Sequence, residues 1–146
     1  MKKRFLALAV SLVVATSAMA SDLQLQAIGA SVASNLYLSY LSMGVIADSY
    51  TKKVYSKDQT LSFVSSVVAQ GGVQKDYLQK MIASGDIPEN DQEFVQKMIK
   101  CFELLIDEGN FLNDYVRKGD NDSLAKYDNK RKEAWALISE IMGFGK

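Results

Sequence analysis

Arg131 is the residue whose position most clearly suggests chemistry, because it lies on the apolar face of a predicted helix. Tyr127 and Trp135 stand four residues to either side of it, so the three side chains share one helical face. A buried arginine requires a carboxylate and satisfied hydrogen-bond donors. One interpretation is that Tyr127, Arg131 and Trp135 anchor an acidic ligand or an acidic group of a partner. The alternatives are that Arg131 stacks on Tyr127 or Trp135 and extends to solvent, or that it forms an internal ion pair. We expect Trp135 itself to be a core residue.

Several common active sites lack their residues in this chain. There is no histidine and only one cysteine, Cys101, which excludes histidine-dependent nucleophiles, histidine-ligated haem and the usual zinc and di-iron sites. No P-loop and no GxGxxG motif occurs. The acidic loops at 86–91 and 120–122 are typical of solvated helix caps rather than of calcium sites. We therefore predict no catalytic residue, no metal and no cofactor, and expect that the protein is not an enzyme.

Residues 1–20 have the pattern of a cleaved secretory signal peptide. Three basic residues at 2–4 precede an apolar run at 5–15, and Ala18 and Ala20 supply the small side chains that a signal peptidase requires. The apolar run is shorter than the ~20 residues that cross a bilayer. We predict a periplasmic or secreted protein with no membrane span in the mature chain.

Cleavage before Ser21 leaves residues 21–146 as a single domain, which is long enough to bury a core. The leader contains three of the 17 basic residues and none of the 17 acidic ones, so the mature chain has 14 basic and 17 acidic residues and a net charge of −3. An acidic chain without a basic run does not have the charge distribution of a nucleic-acid-binding protein. We therefore expect no nucleic-acid partner.

The mature chain is predicted to be all-α, an up-down-up-down four-helix bundle. Apolar residues recur every three or four positions, and acidic residues precede lysines by four positions in all four segments. Capping-box patterns at Ser56–Gln59 and Asn90–Glu93 mark two helix starts. The predicted helices cover 22–55, 57–84, 91–118 and 122–143.

Glycines stand inside two of these predicted helices. We expect Gly71-Gly72 to leave the second helix continuous or kinked, and a true break is the alternative. Gly71 and Gly109 lie mid-face and predict close approach of neighbouring helices.

Two predicted helices have more apolar surface than one core face requires, which suggests a surface for a partner. The first has a second stripe at Leu38, Leu41 and Val45. The third has a second stripe at Cys101, Leu104, Phe111 and Tyr115. We expect a protein partner or a homodimer on these stripes. Cys101 is either buried and inert or paired with another chain.

These features favour a non-enzymatic exported protein that acts by protein–protein interaction. The outline resembles that of small exported inhibitors such as immunity proteins, an analogy at the level of fold alone. The alternative is a carrier or sensor that binds a small ligand inside the bundle.

Overall fold

A computed structural model describes the backbone of residues 2–144 and the side chains of residues 23–144. In this part of the chain, the structure contains no strand and four α-helices, which are α1 (Lys2–Thr51), α2 (Lys57–Ser84), α3 (Glu89–Lys118) and α4 (Asn121–Met142). The predicted all-α, four-helix fold is confirmed. The side chains of the predicted signal peptide lie outside the described residues, so its cleavage stays a prediction.

The chain divides into two compact units, Met1–Ser31 and Val32–Lys146. The first unit consists of the N-terminal part of α1. The second unit contains the rest of α1 together with α2, α3 and α4. Its core includes a cluster of buried side chains to which all four helices contribute: Met43, Ile46, Val64, Leu112, Val116 and Tyr127.

The helix starts follow local hydrogen bonding, and one of them differs from the prediction. At the start of α2, the Ser56 hydroxyl accepts a hydrogen bond from the backbone N–H of Gln59, and the Gln59 side chain accepts one from the backbone N–H of Ser56. This confirms the first capping box. The second, at Asn90 and Glu93, is wrong, because α3 begins earlier, directly after Pro88, and has no side-chain cap. Proline fixes φ near the helical value and favours a start at this point.

Both internal glycine positions lie inside uninterrupted helices. α2 continues through Gly71-Gly72, so the alternative of a break is wrong. Gly109 lies where α3 approaches both α1 and α2. A Cβ at position 109 would lie 2.9 Å from Met43 Cε and closer still to Val68 Cγ2. The predicted close approach of helices at Gly109 is confirmed.

The described part of α1 is also long and apolar enough to cross a membrane. Leu23–Thr51 contains an 18-residue window with a mean hydropathy of 1.2, of which 33% is buried in the fold. Core helices and N-terminal signal sequences have the same properties. Within the second unit, Leu36 and Met43 are completely buried, which favours a bundle helix for this part of α1.

Gly109→Ala is expected to destabilise the fold by about 1–3 kcal/mol, because the added methyl group overpacks the contact with Val68 and Met43. Gly72→Ala is the matched control, since a Cβ at position 72 meets nothing within 4 Å. This control is expected to stabilise the helix by about 0.5–1 kcal/mol. Urea unfolding measures both changes, and an unchanged midpoint for Gly109→Ala would contradict the packing described here.

Candidate functional site

Arg131 forms a buried ion pair with Glu108, which connects α4 to α3. Arg131 Nη1 donates a hydrogen bond of 2.8 Å to Glu108 Oε1. Glu108 is completely buried, whereas 24% of the Arg131 side chain is exposed. This is the internal ion pair that the sequence left as one of the alternative interpretations of Arg131.

The same guanidinium group also holds α1. Arg131 Nη1 donates a second hydrogen bond, of 3.0 Å, to the backbone carbonyl of Tyr40, and Arg131 Cζ lies 3.9 Å from the centroid of the Tyr40 ring. One turn later, a Cβ at Gly44 would lie 3.0 Å from Arg131 Cζ. Glycine at position 44 therefore leaves room for the guanidinium group, and three helices meet at Arg131.

Glu108 is only partly satisfied by this arrangement. Its Oε2 atom is buried and has no hydrogen-bond partner among the described residues. Burial raises the pKa of Glu108 to about 7, and this effect outweighs the hydrogen bond and the charge of Arg131, which lower it. The carboxyl group therefore titrates close to neutral pH.

The raised pKa of Glu108 makes the stability of the fold depend on pH in a defined direction. The folded state binds the proton more tightly than the unfolded state, in which the pKa is near the ordinary value of 4.5. The stabilising contribution of this group is therefore complete below about pH 4.5 and is lost as the pH rises through about 7.

We expect the free energy of unfolding of the wild type to fall, relative to that of Glu108→Gln, by roughly 2–3 kcal/mol between about pH 5 and about pH 8. Glutamine keeps the shape of the side chain but does not titrate, so the difference between the two proteins isolates Glu108 from the other carboxylates. Urea unfolding at several pH values measures it. Parallel pH profiles for the two proteins would show that Glu108 does not titrate in this range.

Aromatic side chains continue from Arg131 to the surface. The Tyr40 ring stacks on Trp135 with 5.3 Å between the centroids and an angle of 29° between the planes. Trp135 in turn lies 6.2 Å from the ring of Phe144. The prediction that Trp135 is a core residue is wrong, because 40% of it is exposed. α4 buries Ala134 instead, and the indole ring lies at the edge of the helix against Tyr40.

An open groove of about 450 Å³ lies beside the ion pair, between α1, α3 and α4. The groove is lined from α1 by Leu41, Gly44, Val45, Ala47, Asp48 and Thr51, from α3 by Leu112 and Tyr115, and from α4 by Leu124, Tyr127, Asp128 and Arg131. Its lining combines apolar and polar side chains, and the polar ones include two carboxylates from different helices.

The predicted partner residues of α1 lie on its outer side. Leu38 and Val45 are each 60% exposed, and Leu41 is 40% exposed. Leu41 and Val45 also line the groove. The described residues therefore leave the stripe on α1 exposed to solvent, and its role in binding a partner stays a prediction.

The predicted stripe on α3 is not an outer face. Cys101 and Leu104 are buried, so the expectation that these two side chains lie on an outer face of α3 is wrong. α3 packs against both α2 and α4, and this covers two of its faces. Phe111 and Tyr115 are half-buried and pack against the core cluster, and Tyr115 also reaches the groove.

The Cys101 thiol is free and completely buried. Burial raises the pKa of Cys101 to about 12, and the charge of Glu108 acts in the same direction. A thiol without access to solvent and with so little thiolate is unreactive. Of the two alternatives for Cys101, the structure favours the buried and inert one over pairing with another chain.

The three residues of the predicted ligand site are only partly brought together. Tyr127 and Arg131 both line the groove, and burial raises the pKa of Tyr127 above its usual range. Trp135 is not part of the groove and lies instead against the ring of Tyr40.

Sequence reasoning missed Glu108 and the two α1 residues, Tyr40 and Gly44, that surround Arg131. A signal for Glu108 was present, because it follows Leu104 by four residues and precedes Leu112 by four. This spacing places a carboxylate on the buried face of α3. Comparison of the chain with protein families, with curated proteins and with solved structures finds no match.

Proposed function

We propose that this chain is a non-enzymatic, exported helical-bundle protein that binds a partner protein through the outer stripe of α1 and the adjacent groove. One observation carries the proposal: Leu38, Leu41 and Val45 lie exposed on one side of a helix, and two of them continue into a groove. Contiguous exposed apolar surface is typical of interaction sites. An inhibitor or immunity-type role belongs to this proposal.

A binding role rather than a catalytic one is supported further by the burial and hydrogen bonding of Glu108, Arg131 and Cys101. Glu108 is enclosed, and Nη1 of Arg131 is already hydrogen-bonded to Glu108 and to the Tyr40 carbonyl. Cys101 is buried and protonated. Among the described residues, these groups are therefore structural rather than poised to react with a substrate.

We also propose the up-down-up-down order for the bundle. Lys57, at the start of α2, donates a hydrogen bond of 3.0 Å to the Arg117 carbonyl near the end of α3. Lys97 Nζ, near the start of α3, lies 2.8 Å from Oε1 of Glu140, near the end of α4. These contacts support antiparallel packing of α2 with α3 and of α3 with α4.

Export with cleavage after Ala20 is part of the same proposal. We expect N-terminal sequencing of the protein recovered from the periplasm or the medium to begin at Ser21. Ala20→Arg is the test variant, because an arginine in place of the small residue blocks cleavage. It should yield the longer, uncleaved chain, and an intact residue 1 on the membrane-bound wild type would contradict the proposal.

The double variant Leu38→Glu/Val45→Glu tests the interaction surface. Both side chains are exposed, so the variant is expected to fold with an unchanged circular dichroism spectrum and to lose capture of its partner from an envelope extract. The matched control is Val73→Glu/Tyr77→Glu on α2, where the replaced side chains are 53% and 62% exposed. Equal capture by both variants would contradict the proposal. Sedimentation of the purified protein shows whether the partner is a second copy.

A small-ligand site in the groove is the second candidate function. Tyr127 and Arg131 line one groove, whose volume of about 450 Å³ is in the usual range for ligand sites. Leu38 separates the two functions because it lies outside the groove lining. The single variant Leu38→Glu is expected to weaken binding of a protein partner and to leave binding of a small ligand unchanged.

A further inference from the structure

We infer that the groove receives a cationic amphipathic helix of the partner, whose apolar face covers Leu41 and Val45 while its lysines or arginines meet Asp48 and Asp128. This inference rests on the proposed function and adds the chemical class of the partner. It follows from the charges around the groove and from the way in which the one cation in its lining is held.

The two carboxylates of the groove come from different helices and are weakly engaged. Asp48 of α1 has one ion-pair partner, Lys52, at 3.7 Å, and both side chains are more than 70% exposed. Exposed pairs of this kind contribute little. Asp128 of α4 is exposed and forms no hydrogen bond or ion pair with the described residues. Both carboxylates are available to a partner.

Arg131, the cation in the groove lining, does not neutralise these two carboxylates. Its Nη1 atom points inward, to Glu108 and to the Tyr40 carbonyl. When Glu108 is ionised, the inner pair is neutral, and the groove keeps the negative charge of Asp128 together with that of Asp48, which the exposed Lys52 offsets only in part. An anionic occupant would face both carboxylates, whereas a cationic one is attracted to them.

The exposed apolar residues of α1 have the spacing of a helix-packing face, because Leu38, Leu41 and Val45 stand three and four positions apart. Leu41 and Val45 border the groove on the α1 side, and the half-buried Leu124 lines it from α4. A helix that presents apolar residues every three or four positions would bury this surface, and lysines on the flanks of its apolar stripe would reach the carboxylates.

The test uses an 18-residue helical peptide of leucine and lysine, with an identical peptide in which glutamate replaces lysine as the control. Binding to the mature protein is measured by calorimetry at low salt and pH 8, where Glu108 is ionised. We expect the lysine peptide to bind, the glutamate peptide not to bind, and added salt to weaken the complex.

Asp48→Asn/Asp128→Asn should weaken binding of the lysine peptide by roughly three- to tenfold, as expected for the loss of two exposed ion pairs. Asp76→Asn/Asp107→Asn removes the same charge from exposed positions on α2 and α3 and should leave the affinity unchanged. Equal effects of the two variants, binding of the glutamate peptide, or no binding of either peptide would overturn the inference.

The outcomes also separate this inference from the proposed function. If Leu38→Glu/Val45→Glu abolishes capture of the partner while Asp48→Asn/Asp128→Asn leaves capture intact, the surface on α1 is the interface and its partner is not cationic. If neither variant affects capture, the proposed function itself is wrong.

Discussion

The contact between Glu108 and Arg131 joins three helices at one point. Transferring both charges out of water is costly. A single hydrogen bond that leaves Glu108 Oε2 without a partner among the described side chains does not fully offset this cost. We therefore interpret the pair as a device that specifies packing rather than as a source of stability. Arg131 reaches Tyr40 on α1 while it is held by Glu108 on α3, so a helix shifted along its axis would leave a buried charge unpaired.

The groove lies beside this contact. The guanidinium group of Arg131 occupies the space in front of Gly44, where a side chain would otherwise fill the gap between α1 and α4. On α4, the position that borders the groove beside Tyr127 is Asp128, a polar residue that gives Val45 no apolar cover. Val45 and the groove therefore border the same charged edge of α4, whereas Leu38 lies outside the groove lining.

The sequence predicts the helices because their signals are local. Apolar spacing and the capping box at Ser56 each depend on residues within a few turns. The partner of Arg131 could not be identified in this way, because Glu108 lies 23 residues away on another helix. The position of Trp135 also depends on tertiary structure. Its place on the apolar face of α4 suggests a core residue, but in the structure the indole ring packs against Tyr40 and stays partly exposed.

The two predicted partner stripes have similar apolar patterns in the sequence but differ in burial, because the stripe on α1 is exposed and part of the stripe on α3 is buried. α3 packs on α2 and α4 and also approaches α1 at Gly109, so a helix in this position must be apolar on more than one side. Leu104 and Cys101 meet that requirement and are buried. α1 buries Leu36 and Met43 on one side, and Leu38 and Val45 point away from that side. A second apolar face is therefore explained by neighbouring helices on α3, whereas on α1 the described residues leave it exposed, and this is the face on which we propose that a partner binds.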